Sequence, residues 1–142
     1  MDETAAAHVA HRVQEWVEDP ESDVEYAEEV EGRWAVRMRQ TVRDATTTWI
    51  WIGDRSVVME AYLLPPPPHE LEVYRQALIR NGRSFRVHFA LDGEGALILR
   101  ARLPVERVSD AELDYVLAEI YEAVEVSFRT LLQAGFDREK MA

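Results

Sequence analysis

His8 and His11 stand three residues apart, with Glu15 four further on. On a helix that spacing sets all three on one side, an arrangement that could hold a divalent metal. The HExxH pattern is missing, however, and Val9 and Val13 already define a buried stripe. The histidines are therefore expected in solvent, and no metal site is assigned. His88 is a second candidate. A general base there needs an acid beside it, and Glu60 is the one carboxylate that the predicted sheet offers. A cross-strand polar pair is the simpler reading of the two. Asp92-Gly93-Glu94-Gly95 looks like a fragment of a calcium loop, but the 12-residue ligand series is absent and a hairpin turn suffices. Pro65 to Pro68 could lie in a polyproline-reading groove, although a stiff spacer into the next helix explains the run as well. The six glycines never fall as GxGxxG or GxxxxGK[ST], and no GxSxG elbow occurs. With no cysteine in the chain, disulfides, Cys-ligated zinc, iron–sulfur clusters and a thiol nucleophile are all excluded. No catalytic residue and no cofactor is assigned.

The elements that carry these residues belong to a chain of 142 residues, 47% hydrophobic and 30% charged, which is enough to bury a core within one domain spanning 1–142. The formal charge is −11 and is unevenly placed: residues 1–32 hold 11 acids against the single base Arg12, while the rest is almost balanced. Such an acidic segment repels phosphate backbones, so nucleic acid is not an expected partner. It reads either as a solubilising stretch or as a lure for a basic partner. Of the 16 bases only Lys140 is lysine, a bias that points to GC-rich coding rather than to function. No apolar run reaches the roughly 20 residues of a membrane span. The acidic start Met1-Asp2-Glu3 does not resemble a signal peptide, so a cytoplasmic protein without a membrane partner is expected.

Periodicity predicts a helix over 4–18, with Thr4 as cap, Val9, Val13, Trp16 and Val17 inward, and Asp19-Pro20 as the stop. Residues 21–32 hold a weak edge strand with Val24, Tyr26 and Val30. Strands are predicted over 33–39, 46–52 and 57–64, closed by the proline run. A helix over 69–81 follows, its apolar stripe formed by Leu71, Tyr74, Ala77 and Leu78. Phe85, Val87 and Phe89 alternate on the next strand, and 96–103 returns. Ser109-Asp110-Ala111-Glu112 is a capping box opening a helix to about Ala134, with Gly135 as its end. The order helix, three strands, helix, two strands, helix implies an α+β fold with a mainly antiparallel sheet and helices packed on it.

Alternation then divides the sheet. One face collects Trp34, Val36, Met38, Ile50, Met59, Phe85, Val87, Leu99 and their neighbours and should lie under the first and last helices. The other collects Arg37, Arg39, Thr47, Trp49, Trp51, Val58, Glu60, Tyr62, Arg86, His88, Ile98, Arg100 and Arg102. A solvated sheet face should be polar. Large aromatics among arginines there imply a cover: the middle helix, a second copy, or a peptide. The acidic N-terminal segment folding back over the arginines is a further possibility.

Val57 to Leu64, the prolines, Glu72-Val73-Tyr74 to Leu78 and Arg80-Asn81 together resemble the YbjN-domain proteins of actinobacteria. So do Val87 to Asp92 with Gly95 and Leu97, Arg102-Leu103-Pro104, and the helix start at Ser109 to Leu113. The resemblance covers about 33–136 and leaves the first 32 residues outside. That family is similar in fold to the class I type III secretion chaperones. What the resemblance implies is a homodimeric, non-enzymatic module that holds an extended client segment. Members carry the label of sensory transduction regulators, which names no mechanism, and offer no catalytic residues to transfer.

The expectation is therefore a chaperone-like or regulatory protein that binds a protein or peptide partner, or its own twin. Trp49, Trp51, Tyr62 and Ile98 would be its apolar anchors, and Arg37, Arg39 and Arg100 its polar clamps. The rival reading is a small-molecule sensor or enzyme with a polar pocket around His88 and neighbouring arginines. A third is a structural subunit tethered by its acidic N-terminus.

Overall fold

The computed structural model describes residues 3–136. Helix α1 (Glu3–Glu18) is followed by four strands, β1 (Val24–Val30), β2 (Arg33–Arg39), β3 (Ala45–Ile52) and β4 (Ser56–Leu64). Helix α2 (Glu70–Asn81), strands β5 (His88–Leu91) and β6 (Leu97–Pro104), and the long helix α3 (Asp110–Phe136) complete the chain. The six strands form one antiparallel sheet in the order β1-β2-β3-β4-β6-β5. The α+β class read from the sequence holds. The weak edge strand read in the acidic stretch is a full strand, β1, at the edge of the sheet, and brings the strands before the second helix to four. Its hairpin closes on Glu31-Gly32, both at positive φ (52° and 81°), the backbone that a tight two-residue hairpin turn requires.

Among the described residues, helices pack on one face of the sheet only. Ala5, Val9, Val13 and Trp16 recur every three or four residues, so α1 buries a single stripe. Together with Leu113, Val116, Ile120, Val124 and Leu131 of α3, that stripe meets Val36, Met38, Ile50, Met59, Leu99 and Leu103 of the sheet. Thr4 lies within the first turn of α1 rather than before it. The N-terminal segment thus reaches the sheet-face arginines only from the side: residues 3–18 pack into the core on the helical side, while β1 lies beside β2 and, with the turn before it, meets Arg37 and Arg39 at the sheet edge.

Three local expectations are overturned. In α2 the buried residues are Val73 and Ala77, whereas Leu71 and Leu78 are 84% and 70% exposed. Strand β5 begins at His88, not Phe85. Phe85 is exposed, and Arg86 turns to the helical side, where its guanidinium binds Glu112 (2.7 and 2.8 Å) and lies over the Tyr115 ring. Gly135 does not stop α3 but lies within it. A Cβ there would come within 2.8 Å of Pro67 Cβ and Val73 Cγ2, so the absent side chain lets the proline run press against the helix. The start of α3 follows the capping pattern in part. The Ser109 hydroxyl accepts the Glu112 amide hydrogen (3.1 Å), while the Glu112 carboxylate goes to Arg86.

Candidate protein-binding face

Cross-strand register fixes what the uncovered face presents. Ala35, Trp49, Glu60, Arg100 and His88 stand in one row across β2, β3, β4, β6 and β5. Trp51, Val58 and Arg102 form the next row, and Tyr62, Ile98 and Ala90 lie on the other side. Paired residues share a face, and none of these belongs to the core cluster that the helices cover. Trp34 and Ile52, one residue out of phase, do pack against that core. Trp49 and Trp51 therefore point away from the helices, half-buried. α2 does not cover them.

A concavity of about 570 Å³ crosses this face. It runs from Val30, Glu31 and Arg33 at the β1–β2 turn, past Trp49, Glu60 and Tyr62, to Asp92 at the β5–β6 turn. Ile98 is only 3% exposed, so it forms the floor of this trough rather than a projecting anchor, whereas Tyr62 stands half-exposed at 50%. Arg43, from the β2–β3 connection, secures the end of β4 by donating to the Tyr62 and Leu63 carbonyls (2.9 and 3.0 Å). Its burial lowers the guanidinium pKa.

The arginines are less free than their spacing suggested. Arg37 binds Glu25 (3.2 Å), Arg39 donates to the Ser22 carbonyl (2.7 Å), and Arg100 grips Glu60 through Nε (3.0 Å) and Nη2 (2.5 Å). Arg33, which the same alternation places on this face but which was not among the expected clamps, lies over the Trp51 ring at 4.6 Å. Glu31, and Asp92, which its sequence context places in a hairpin turn, become the two ends of the trough. Turn chemistry locates such residues but says nothing of which way the sheet's twist aims them.

The His88–Glu60 pair does not form. Arg100 stands between His88 and Glu60 and takes the carboxylate for itself. Nor do the helix histidines share a site: His8 Nε2 meets Asp110 (2.8 Å) and His11 Nδ1 meets Glu15 (3.2 Å). No helix among the described residues is long and apolar enough to cross a membrane.

A second unpartnered surface lies at the β5 edge. Leu71, Leu78 and Ile79 occupy the solvent side of α2, beside an apolar groove that Tyr74 and Leu78 share with Phe89 and Leu91. The outer edge of β5 pairs with no strand among the described residues, although at Phe89 its amide donates to, and its carbonyl accepts from, the Asn81 side chain (2.7 and 3.0 Å).

A family model, CesT_Tir_1, matches residues 6–134, so all but the first three residues of α1 lie inside the match although the sequence resemblance began only at residue 33. An uncharacterized protein of Mycobacterium leprae is 41% identical over 92 residues, covering 64% of this chain and 50% of the relative. One from Mycobacterium tuberculosis is 36% identical over 90 residues, with shares of 63% and 49%. The chain spans about half the length of these curated relatives. Among solved structures, the Yersinia pestis type III secretion chaperone SycH, in complex with a fragment of YscM2, has a TM-score of 0.59 at 18% identity, covering 87% of this chain and 98% of its own. The ExoU–SpcU complex of Pseudomonas aeruginosa gives 0.54 at 18% identity, with 92% and 97% covered. YbjN of E. coli gives 0.56 at 15% identity, with 82% and 85% covered. At these identities the shared property is the fold.

Proposed function

Because the chain belongs to the CesT_Tir_1 family, we propose that it is a non-enzymatic, cytoplasmic protein-binding module, chaperone-like or regulatory, that holds an extended client segment on its open sheet face. The observation that carries this reading is the uncovered trough: Trp49 and Tyr62 rise over a floor of buried Ile98, and no helix closes it. Several structures of this fold are complexes with a second protein, which supports a polypeptide occupant. Aromatic side chains beside a buried floor supply contact area at small entropic cost, and the sheet surface suits a segment that is itself extended. The test is capture from native lysate by the wild type and by Trp49→Ala with Trp51→Ala. A polypeptide retained by the first and reduced at least about tenfold with the second, at unchanged far-UV circular dichroism, supports the proposal. Equal capture by both sinks it.

The module is further proposed to be a homodimer joined through α2 and the β5 edge. Leucines as exposed as Leu71 and Leu78, spaced seven apart on one helix face, suit a self-complementary two-fold contact. Replacing both by glutamate should weaken association by about 100-fold or more and leave the monomer fold intact, since neither side chain is buried. Sedimentation at two concentrations reads the result. A wild type that stays monomeric at the higher concentration refutes the assembly.

A further inference from the structure

Resting on the client-binding reading, the charge layout of the trough also assigns the client's chemistry: we infer that it takes an extended segment carrying basic side chains between apolar ones. The arginines of this face are engaged by the chain itself, at Glu25, at the Ser22 carbonyl, at Glu60 and on the Trp51 ring. Arg102 is exposed, but it stands in the Trp51–Val58 row and does not line the trough. The carboxylates at the two ends are in a different position. Glu31 is exposed and forms no ion pair among the described residues. Asp92 accepts the Glu94 and Ala96 amide hydrogens through Oδ1 (2.8 and 2.9 Å) and likewise has no cation beside it. Exposed Glu28 shares the Trp49 row through its pairing with Ala35.

A guanidinium or ammonium laid along this trough meets an aromatic face at Trp49 or Tyr62 and a carboxylate at either end. An acidic side chain would meet the same carboxylates, and the one cation of the lining without a carboxylate partner among the described residues, Arg33, stands at the Glu31 end with its guanidinium over Trp51. The acidic excess of residues 1–32 reinforces the choice, because it attracts basic partners before contact and repels acidic ones.

The experiment titrates the full chain with two synthetic extended peptides, one alternating leucine with arginine and one alternating leucine with glutamate, at low and at physiological salt. The arginine peptide should bind at least about tenfold more tightly, with an affinity that falls as salt rises. Glu31→Gln with Asp92→Asn should remove about a factor of ten from that affinity and leave the thermal midpoint in place. Glu31 is solvent-exposed, and the asparagine oxygen can still accept the two turn amides. Tighter binding of the glutamate peptide, binding of neither, or a charge-neutralised variant that binds the arginine peptide as the wild type does would each overturn the inference. Trp49→Ala separates this inference from the reading beneath it. If the glutamate peptide binds and loses affinity with that substitution, the face remains a client site of opposite polarity.

Discussion

Glu119→Ala is expected to lower the stability of the protein by about 2–4 kcal/mol, or roughly 10 °C in thermal midpoint for a chain of this size. Glu119 sits on α3, and its carboxylate is the acceptor for three consecutive backbone amides of the segment entering β5. Oε2 takes the Phe85 N–H (3.3 Å), and Oε1 takes those of Arg86 (2.8 Å) and Val87. Val87 is 2% exposed, so truncation strands at least one donor where water reaches poorly, and each such loss costs about 1–3 kcal/mol. The loop can relax toward solvent, which keeps the total below three full penalties. Glu119→Gln is the control. Its amide oxygen can still serve Arg86 and Val87, so a loss of about 1 kcal/mol is expected. Chemical denaturation of the two variants checks the ordering. Equal losses would mean that the charge matters and the acceptor geometry does not.

The same carboxylate explains why β5 was misread. Phe85, Val87 and Phe89 alternate as a strand should, and alternation is a local signal. The start of the strand is decided by an acid more than thirty residues away that takes the amides of Phe85 to Val87. A comparable device holds the β2–β3 connection, where Glu125 accepts the amides of Thr41 and Val42 and the side chains of Thr41 and Gln40. There burial opposes ionisation of Glu125, but these hydrogen bonds prevail and keep its pKa below the ordinary glutamate value.

The face of Trp49 and Trp51 was legible because a strand has one period and its phase was anchored by Ile50 and Ile52. A short helix gives no such anchor. In α2 the stripe Leu71, Tyr74, Ala77 and Leu78 satisfies helical spacing, but so does Val73–Ala77, and the larger residues are the natural choice for the core. Ala77 is buried as expected and Tyr74 partly so, but Val73 takes the place of the two leucines, because α3 approaches closely enough at Gly135 for Val73 and Pro67 to touch it. Polarity was harder to read than position. Alternation put arginines on the uncovered face, but only the register reveals that Arg100 faces Glu60 and Arg37 lies within reach of Glu25. A charge counted as available in a sequence is neutralised in the fold by a neighbour forty residues away.

Asp114→Ala should cost about 2–3 kcal/mol at neutral pH, and its cost should shrink in acid. Asp114 fastens α1 to α3: Oδ1 accepts from Arg12 Nε (2.9 Å) and from the Trp16 indole N–H (2.8 Å), and Oδ2 meets Arg12 Nη2 (2.5 Å). Trp16 is 6% exposed, so the orphaned indole donor carries much of the loss. The ion pair contributes less, because the Asp114 side chain is 42% exposed and solvent screens it. Burial pushes the Asp114 carboxyl up, but the hydrogen bonds from Arg12 and Trp16 and the arginine charge outweigh it and hold the group below the ordinary aspartate range. A depressed folded-state value means that the stabilisation is complete above the unfolded value, about 3.9, and drains away as pH falls through the lower folded one. The difference between wild type and Asp114→Ala should thus be flat from pH 7 to about 5 and narrow below about pH 4. Glu112 and Glu125, also depressed, titrate in both proteins and cancel from that difference. Asp114→Asn keeps an acceptor for the indole and removes only the charge, so about 1 kcal/mol is expected, again shrinking in acid. Denaturation midpoints of the three proteins across that range decide the matter. A difference that stays constant through pH 3 would show that α1 is held by the packing of Val9, Val13 and Trp16 and not by the carboxylate.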